Sequence, residues 1–371
     1  MARTGKVATM AASFIADSAD PAGPLSTHPI LVALDGSGLS ARAIPVGANV
    51  ARRRRAPLLL VRVAPLEPPP DMFGFPVGDY LGERDVAAEY ISRAVARAKI
   101  DHPGLEIAGE VLAGAPSRSL LEAQEENAPQ LTIVTSHGRS GLARMLRGSV
   151  TEDLLRGTTR TTMVLWPWSL PDAPSTDEPS LPALAAAPTP GLGSHVLVPL
   201  DGSSRTARVL PEAFRLARET GGVITLMTVL DLHALRPSRA HDLEKAVALA
   251  LHDRASVIES AGVACRTEVV VSPDVPTSIV SAAASSRCDV IAMTTHARGP
   301  VGKFVFGSVA NRVASRAARA VLFTPPHDTE TSFDNLYPDV PNGVLDLASL
   351  PHRPPSHGLT DDRGDGTPGV N

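Results

Sequence analysis

Cysteine is nearly absent from this chain: its 371 residues include two, Cys265 and Cys288. That excludes a disulfide framework and a cysteine-based metal centre. Both thiols fall in apolar runs, where free cysteine behaves as a small buried hydrophobe. An excess of one charge is missing too, since 35 Lys and Arg face 39 Asp and Glu for a formal charge of −4. Such a chain has no global field to collect nucleic acid or an anionic membrane, which leaves small molecules and protein surfaces as partners. Long hydrophobic runs are also lacking, and no stretch approaches the roughly 20 apolar residues that span a bilayer. Arg3 and Lys6 precede a modest apolar run, Val7 to Ala16, but Thr9 and Ser13 interrupt it and Asp17 and Asp20 follow it. Residues 1–27 therefore read as a flexible cytoplasmic leader rather than a signal peptide.

What is present is a repeat. Ile30-Leu31-Val32-Ala33-Leu34-Asp35-Gly36-Ser37 aligns with Val196-Leu197-Val198-Pro199-Leu200-Asp201-Gly202-Ser203. A second anchor, Thr135-Ser136-His137-Gly138 with Gly148-Ser149-Val150, matches Thr294-Thr295-His296-Ala297 with Gly307-Ser308-Val309. The offset is 166 residues at the first anchor and 159 at the second. Copy one thus carries an insertion of about seven residues, which the Pro-rich stretch Pro65 to Tyr80 accommodates. Two domains result, at 28–168 and 194–326. The Pro-, Ala-, Ser- and Thr-rich segment 169–193 reads as a linker, and 327–371 as a disordered tail.

Each copy alternates short apolar runs with amphipathic segments, the pattern of an α/β domain whose parallel sheet is covered on both faces. We place strands near 29–34, 57–63, 106–112, 131–135 and 161–166 in copy one. Helices are placed near 38–54, 83–99, 116–126 and 149–157. In copy two the strands fall near 195–200, 223–230, 265–271, 289–294 and 320–324, with helices near 204–219, 238–261, 275–286 and 308–317. Five strands per copy with right-handed crossovers give a doubly wound, Rossmann-like sheet with its ligand site at the carboxyl ends of the strands.

Asp35 and Asp201 end the first strand of each copy. Each is either a carboxylate that accepts hydrogen bonds from a ribose or adenine, or a turn residue bonded to nearby backbone N–H groups. Gly148-Ser149-Val150-Thr151 and Gly307-Ser308-Val309-Ala310 open the fourth helix, where unpaired N–H groups and the dipole favour an anion; the plainer alternative is that the serine caps the helix. Arg139, Arg144, Arg298 and Lys303, in the loops before these helices, either neutralise phosphate or are solvated cations. His137 and His296 have no nucleophile or metal-spaced partner nearby and read as turn-stabilising. The run Arg52-Arg53-Arg54-Arg55 complements the negative end of the first helix. Beside neither first strand is there a phosphate-loop or dinucleotide glycine motif, so kinase-like and hydride-transfer chemistry are unsupported.

Taken together, these residues resemble the universal stress protein family in its tandem two-domain form, over roughly 28–168 and 194–326. ATP-binding members of that family carry a Gly, two residues, a Gly, nine residues, then Gly-Ser or Gly-Thr. Copy one reads Thr135, Gly138, Gly148-Ser149; copy two reads Thr294, Ala297, Gly307-Ser308. The first glycine is threonine in both copies and the second is alanine in copy two, which makes copy one the better site. The resemblance implies domains of the adenine nucleotide alpha hydrolase-like type and a stress-response regulator that binds ATP, with Mg2+ as the accompanying ion and at most slow hydrolysis. By position it puts Asp35, Val63, Val134, Thr135 and Gly138 around adenosine and Gly148, Ser149, Val150 and Thr151 on the phosphates. The set in copy two is Asp201, Val229, Met293 and Thr294, then Gly307, Ser308, Val309 and Ala310. It further implies an intramolecular pseudo-dimer formed by antiparallel contact of the last strands, with room for self-association beyond it. A non-nucleotide scaffold that acts through protein contacts is the alternative reading.

Overall fold

Strands form where the short apolar runs lie: β1 (Ile30–Leu34), β2 (Leu58–Ala64), β3 (Ile107–Ala113), β4 (Leu131–Thr135) and β5 (Thr162–Leu165) in copy one. Copy two contributes β6 (His195–Pro199), β7 (Val223–Asp231), β8 (Ala264–Ser272), β9 (Val290–Thr294) and β10 (Ala320–Thr324). The computed structural model describes residues 26–64, 80–136, 150–166, 192–231, 237–295 and 307–325. The leader before Ser26, the insertion 65–79, the linker 167–191 and the tail after Pro325 lie outside the described residues.

Within copy one the order is β3-β2-β1-β4-β5 with every pair parallel, and copy two repeats it as β8-β7-β6-β9-β10. β5 and β10 then pair antiparallel, Val164 opposite Val321 and Thr162 opposite Phe323, which joins the copies into one ten-stranded sheet. In each half the order of connection switches sides between the first and fourth strands, the topology that leaves a crevice at the carboxyl ends of a doubly wound sheet.

The first helix of each copy, expected to run unbroken over 38–54 and 204–219, is instead split. Copy one has α1 (Gly38–Ala41) and α2 (Ala43–Arg53), and copy two has α6 (Ser204–Ala207) and α7 (Leu210–Thr220). The cause is a proline at the same place in both, Pro45 and Pro211. Each lacks the N–H that would bond the carbonyl four residues back, at Ala41 and Ala207, and its ring crowds that carbonyl. The remaining helices are α3 (Tyr80–Asp101), α4 (Pro116–Asn127), α5 (Val150–Gly157), α8 (Pro237–Ser260), α9 (Val275–Ser285) and α10 (Ser308–Ala314).

Alternate strand residues feed two cores, one on each face, and both run unbroken from copy one into copy two. One gathers Ile30, Val32, Leu58 and Leu60 with α2 and α3, then Val196, Phe214 and Leu226 with α7 and α8. The other gathers Leu31, Val164, Leu120 and Leu154 under α4 and α5, then Ile291, Phe323 and Val313 under α9 and α10.

The arginine run 52–55 does more than complement a helix dipole. Arg54 is buried and reaches across to α7, where Nη2 bonds Glu212 Oε1 and Nε bonds Glu219 Oε1 at 2.8 Å. Arg215 of copy two also donates to Gln130 of copy one, at 3.3 Å.

Candidate functional site

Pairing of β1 with β2 and β4 brings the ends of three strands to one edge. Leu34 lies opposite Arg62, so Val63 stands beside Asp35, and Val32 lies opposite Ile133, which carries Val134 and Thr135 to the other flank of the crevice. Val134 is buried in the core, while Val63 and Thr135 are half-buried. In copy two, pairing of β6 with β7 and β9 places Asp201, Val229, Met293 and Thr294 in the same way. The structure thus gathers Asp35, Val63, Val134 and Thr135 at one sheet edge and their four counterparts at the other.

Both aspartates make the turn bond. Asp35 Oδ1 accepts the Ser37 N–H at 2.9 Å, and Asp201 Oδ1 accepts the Ser203 N–H at 2.8 Å. The serines in turn start the next helix, Ser37 Oγ accepting the Ser40 N–H at 3.1 Å and Ser203 Oγ the Thr206 N–H at 3.4 Å. The copies differ in one hydroxyl. Ser40 and Thr206 both reach the carbonyl of the turn serine, at 3.0 and 3.2 Å, and the Thr206 hydroxyl lies in addition 2.8 Å from Asp201 Oδ1. The turn role therefore holds in both copies, alongside whatever ligand the edge accepts.

At the helix starts, Gly138, Gly148 and Ser149 lie outside the described residues, as do His137, Arg139, Arg144, His296, Arg298 and Lys303. Val150 is exposed at the first position of α5 and Thr151 is buried behind it. In copy two Gly307, with φ −57° and ψ 145°, is the cap position and makes no side-chain cap bond. Ser308 follows inside α10, exposed, so the capping role considered for that serine falls to glycine instead. Val309 is half-buried and Ala310 buried.

Charge at these two helix starts differs, acidic in copy one and neutral in copy two, a difference the Gly-Ser motif does not reveal. The first turn of α5 contains Glu152 and Asp153, with Glu152 buried and paired to Arg156. These carboxylates satisfy the positive end of the dipole themselves and oppose a second anion. The first turn of α10 has no acidic residue. Arg312 further along it lies 3.6 Å from Asp274, the cap of α9, whose carboxyl is held below its ordinary range by bonds from Thr277, with Arg312 and Arg316 adding to the effect.

Sequence reading also passed over Arg62 and Tyr90. The Arg62 guanidinium carbon sits 4.9 Å from the Tyr90 ring centroid. Burial pushes the Tyr90 phenol above its ordinary value; Ser40 opposes the rise, the Asp35 carboxylate adds to it and Arg62 opposes it. No motif marks either residue, because β2 and α3 bring them together from distant parts of the chain. Among the described residues, no group of three or more His, Cys, Asp or Glu is placed to hold a metal ion. No helix among them is long and apolar enough to cross a membrane.

Residues 26–165 and 194–325 each match the universal stress protein family. The chain is 32% identical over 124 residues to a universal stress protein of Mycobacterium tuberculosis, a match covering 33% of this chain and 40% of that relative's length. It is 26% identical over 319 residues to a second one from the same species, covering 81% of this chain and 97% of the relative. Among solved structures, a universal stress protein of Archaeoglobus fulgidus superposes with a TM-score of 0.59 at 19% identity, over 81% of this chain and 100% of that one, a likeness of fold.

Proposed function

The chain belongs to the universal stress protein family in a tandem two-domain form, and from that premise we propose that it is a cytoplasmic, adenine-nucleotide-binding sensor or regulator in the stress response. Copy one is its principal site. The observation that carries this reading is the juxtaposition, at one carboxyl edge, of the Asp35 turn, Val63, Val134 and Thr135 on both sides of the crevice where the sheet reverses. These residues suit a nucleoside: a carboxylate for hydroxyl or amino donors, beside the half-buried Val63 and Thr135 and above the buried Val134. Gly148, Ser149, Val150 and Thr151 would receive the phosphates at the start of α5, with Mg2+ as the accompanying ion. On this reading any hydrolysis is slow and incidental.

A second reading, a scaffold that binds no nucleotide and works through protein contacts, is favoured by one observation. Glu152 and Asp153 already occupy the first turn of α5 and disfavour phosphate there. Calorimetric titration with ATP separates the two. Wild-type protein should bind, and Gly148→Val, which puts a branched side chain where phosphate must approach backbone, should not. Folded wild-type protein that binds no ATP at millimolar concentration decides for the scaffold.

A further inference from the structure

Copy one carries, directly behind its Asp-Gly-Ser turn, a cation contact for which the described residues of copy two show no counterpart at the matching strand position. Arg62 leaves β2 half-buried, one face of its guanidinium over the Tyr90 ring at 4.9 Å. Its other contact is the turn itself. A Cβ built on Gly36 would fall 2.9 Å from Arg62 Nη1 and 3.0 Å from Cζ and Nη2, so the glycine backbone and the guanidinium fill the same small space. Gly36 also has φ +90°, a conformation in which a side chain would be strained. The guanidinium thus lies against both an aromatic ring and the backbone that carries Asp35, a pair of contacts that suits a planar cation better than a compact ammonium.

In copy two the counterpart of Arg62 is Thr228, one residue beyond the Pro199–Met227 pair as Arg62 is one beyond the Ala33–Val61 pair. Thr228 is buried, and its hydroxyl has no hydrogen-bond partner among the described residues. The helix α8 contains no Phe, Tyr or Trp to replace Tyr90. In copy two the Thr206 hydroxyl bonds Asp201 Oδ1 at 2.8 Å.

We propose that Arg62 is a positioning residue for Asp35: clamped between Tyr90 and Gly36, it fixes the Asp35-Gly36-Ser37 turn and makes copy one the copy that recognises ligand at this edge. The part concerning ligand rests on the nucleotide reading given above; the part concerning the turn stands without it.

Two measurements on the full chain test the two parts. Amide hydrogen exchange, followed by NMR at Ser37, reports the bond to Asp35 Oδ1 directly. Arg62→Ala should speed Ser37 exchange by about fivefold or more, with Ile30–Leu34 and Ser203 unchanged. Arg62→Lys keeps the charge without the flat stack and should restore less than half of the lost protection. An unchanged Ser37 rate overturns the proposal, and so does equal acceleration along β1, which would mean general loosening. In ATP titrations Arg62→Ala should weaken binding about tenfold, and Arg62→Ala with Asp35→Ala should bind no more weakly than Asp35→Ala alone. Losses that multiply overturn the positioning role. If wild-type protein binds no ATP, the nucleotide reading fails, and the exchange measurement still decides whether Arg62 holds the turn.

Discussion

Replacing Arg54 by alanine should loosen the join between the two copies more than any exposed charge change. Arg54 is buried and bonds one oxygen of each of two carboxylates of the other copy, Glu212, also buried, and Glu219, nearly so, while Glu212 Oε2 and Glu219 Oε2 find no hydrogen-bond partner among the described residues. Removal of one partner from such a group leaves uncompensated charge in the interior and costs about 3–5 kcal/mol. Arg215, 4.0 Å from Glu212 Oε2, offsets part of this, so the loss belongs near the lower figure, about 3 kcal/mol. The sign of its pH dependence follows from Glu219. Burial already raises that carboxyl above its ordinary value, and Arg54 is the largest influence pulling it down. Without Arg54 the folded protein takes up a proton more readily than the unfolded chain, so its stability rises as pH falls. The deficit of Arg54→Ala relative to wild type should therefore be largest at pH 7–8, on the order of 3 kcal/mol, and shrink toward pH 5. Urea unfolding at a series of pH values measures it. Arg54→Met combined with Glu212→Leu and Glu219→Leu should recover most of the loss. A deficit under about 1 kcal/mol at neutral pH, or one that grows on acidification, would refute the reasoning.

Other changes probe the shared sheet and its packing. Phe323→Ala, at a fully buried site opposite Thr162 across the β5–β10 seam, should cost about 3–5 kcal/mol in denaturant unfolding, and a loss under about 1 would deny that the seam is a packed core. Gly47→Ala ordinarily gains helix propensity, but its Cβ would meet Val32 Cγ2 at 2.5 Å, so we expect a net loss of about 1–3 kcal/mol; a rise in melting temperature would be the contrary result. Burial pushes both Cys265 and Cys288 thiols up to about 12. Alkylation of the folded protein at pH 8 should be at least about tenfold slower than that of a free thiol, and labelling at the free rate would contradict this.

The strands and the duplication were legible because buried parallel strands announce themselves as short apolar runs and because the first run of each copy ends in the same Asp-Gly-Ser turn. Right-handed crossovers implied a doubly wound sheet, while the strand order itself comes from the structure. The break in the first helix was legible too, had Pro45 and Pro211 been weighed: each stands four residues after the carbonyl at which the helix ends. What the sequence conceals is side-chain partnership at long range. Arg54 lies in a four-arginine run whose local meaning is dipole complementarity, and only pairing of β5 with β10 brings α7 close enough to show its other use. Glu212 and Glu219 likewise read as solvated helix residues until that seam forms. The Arg62–Tyr90 stack joins a strand to a helix across the insertion, with no spacing to signal it. The charge of the α5 first turn was visible in Glu152 and Asp153 but was masked by attention to the glycine and serine before them.

Two copies alike in fold should be unequal as ligand sites. Native mass spectrometry of the full chain with added ATP counts bound nucleotides directly. One nucleotide per chain is predicted, lost in Asp35→Ala and retained in Asp201→Ala. A folded chain that holds none at millimolar ATP, or one whose nucleotide survives Asp35→Ala and disappears in Asp201→Ala, would contradict it.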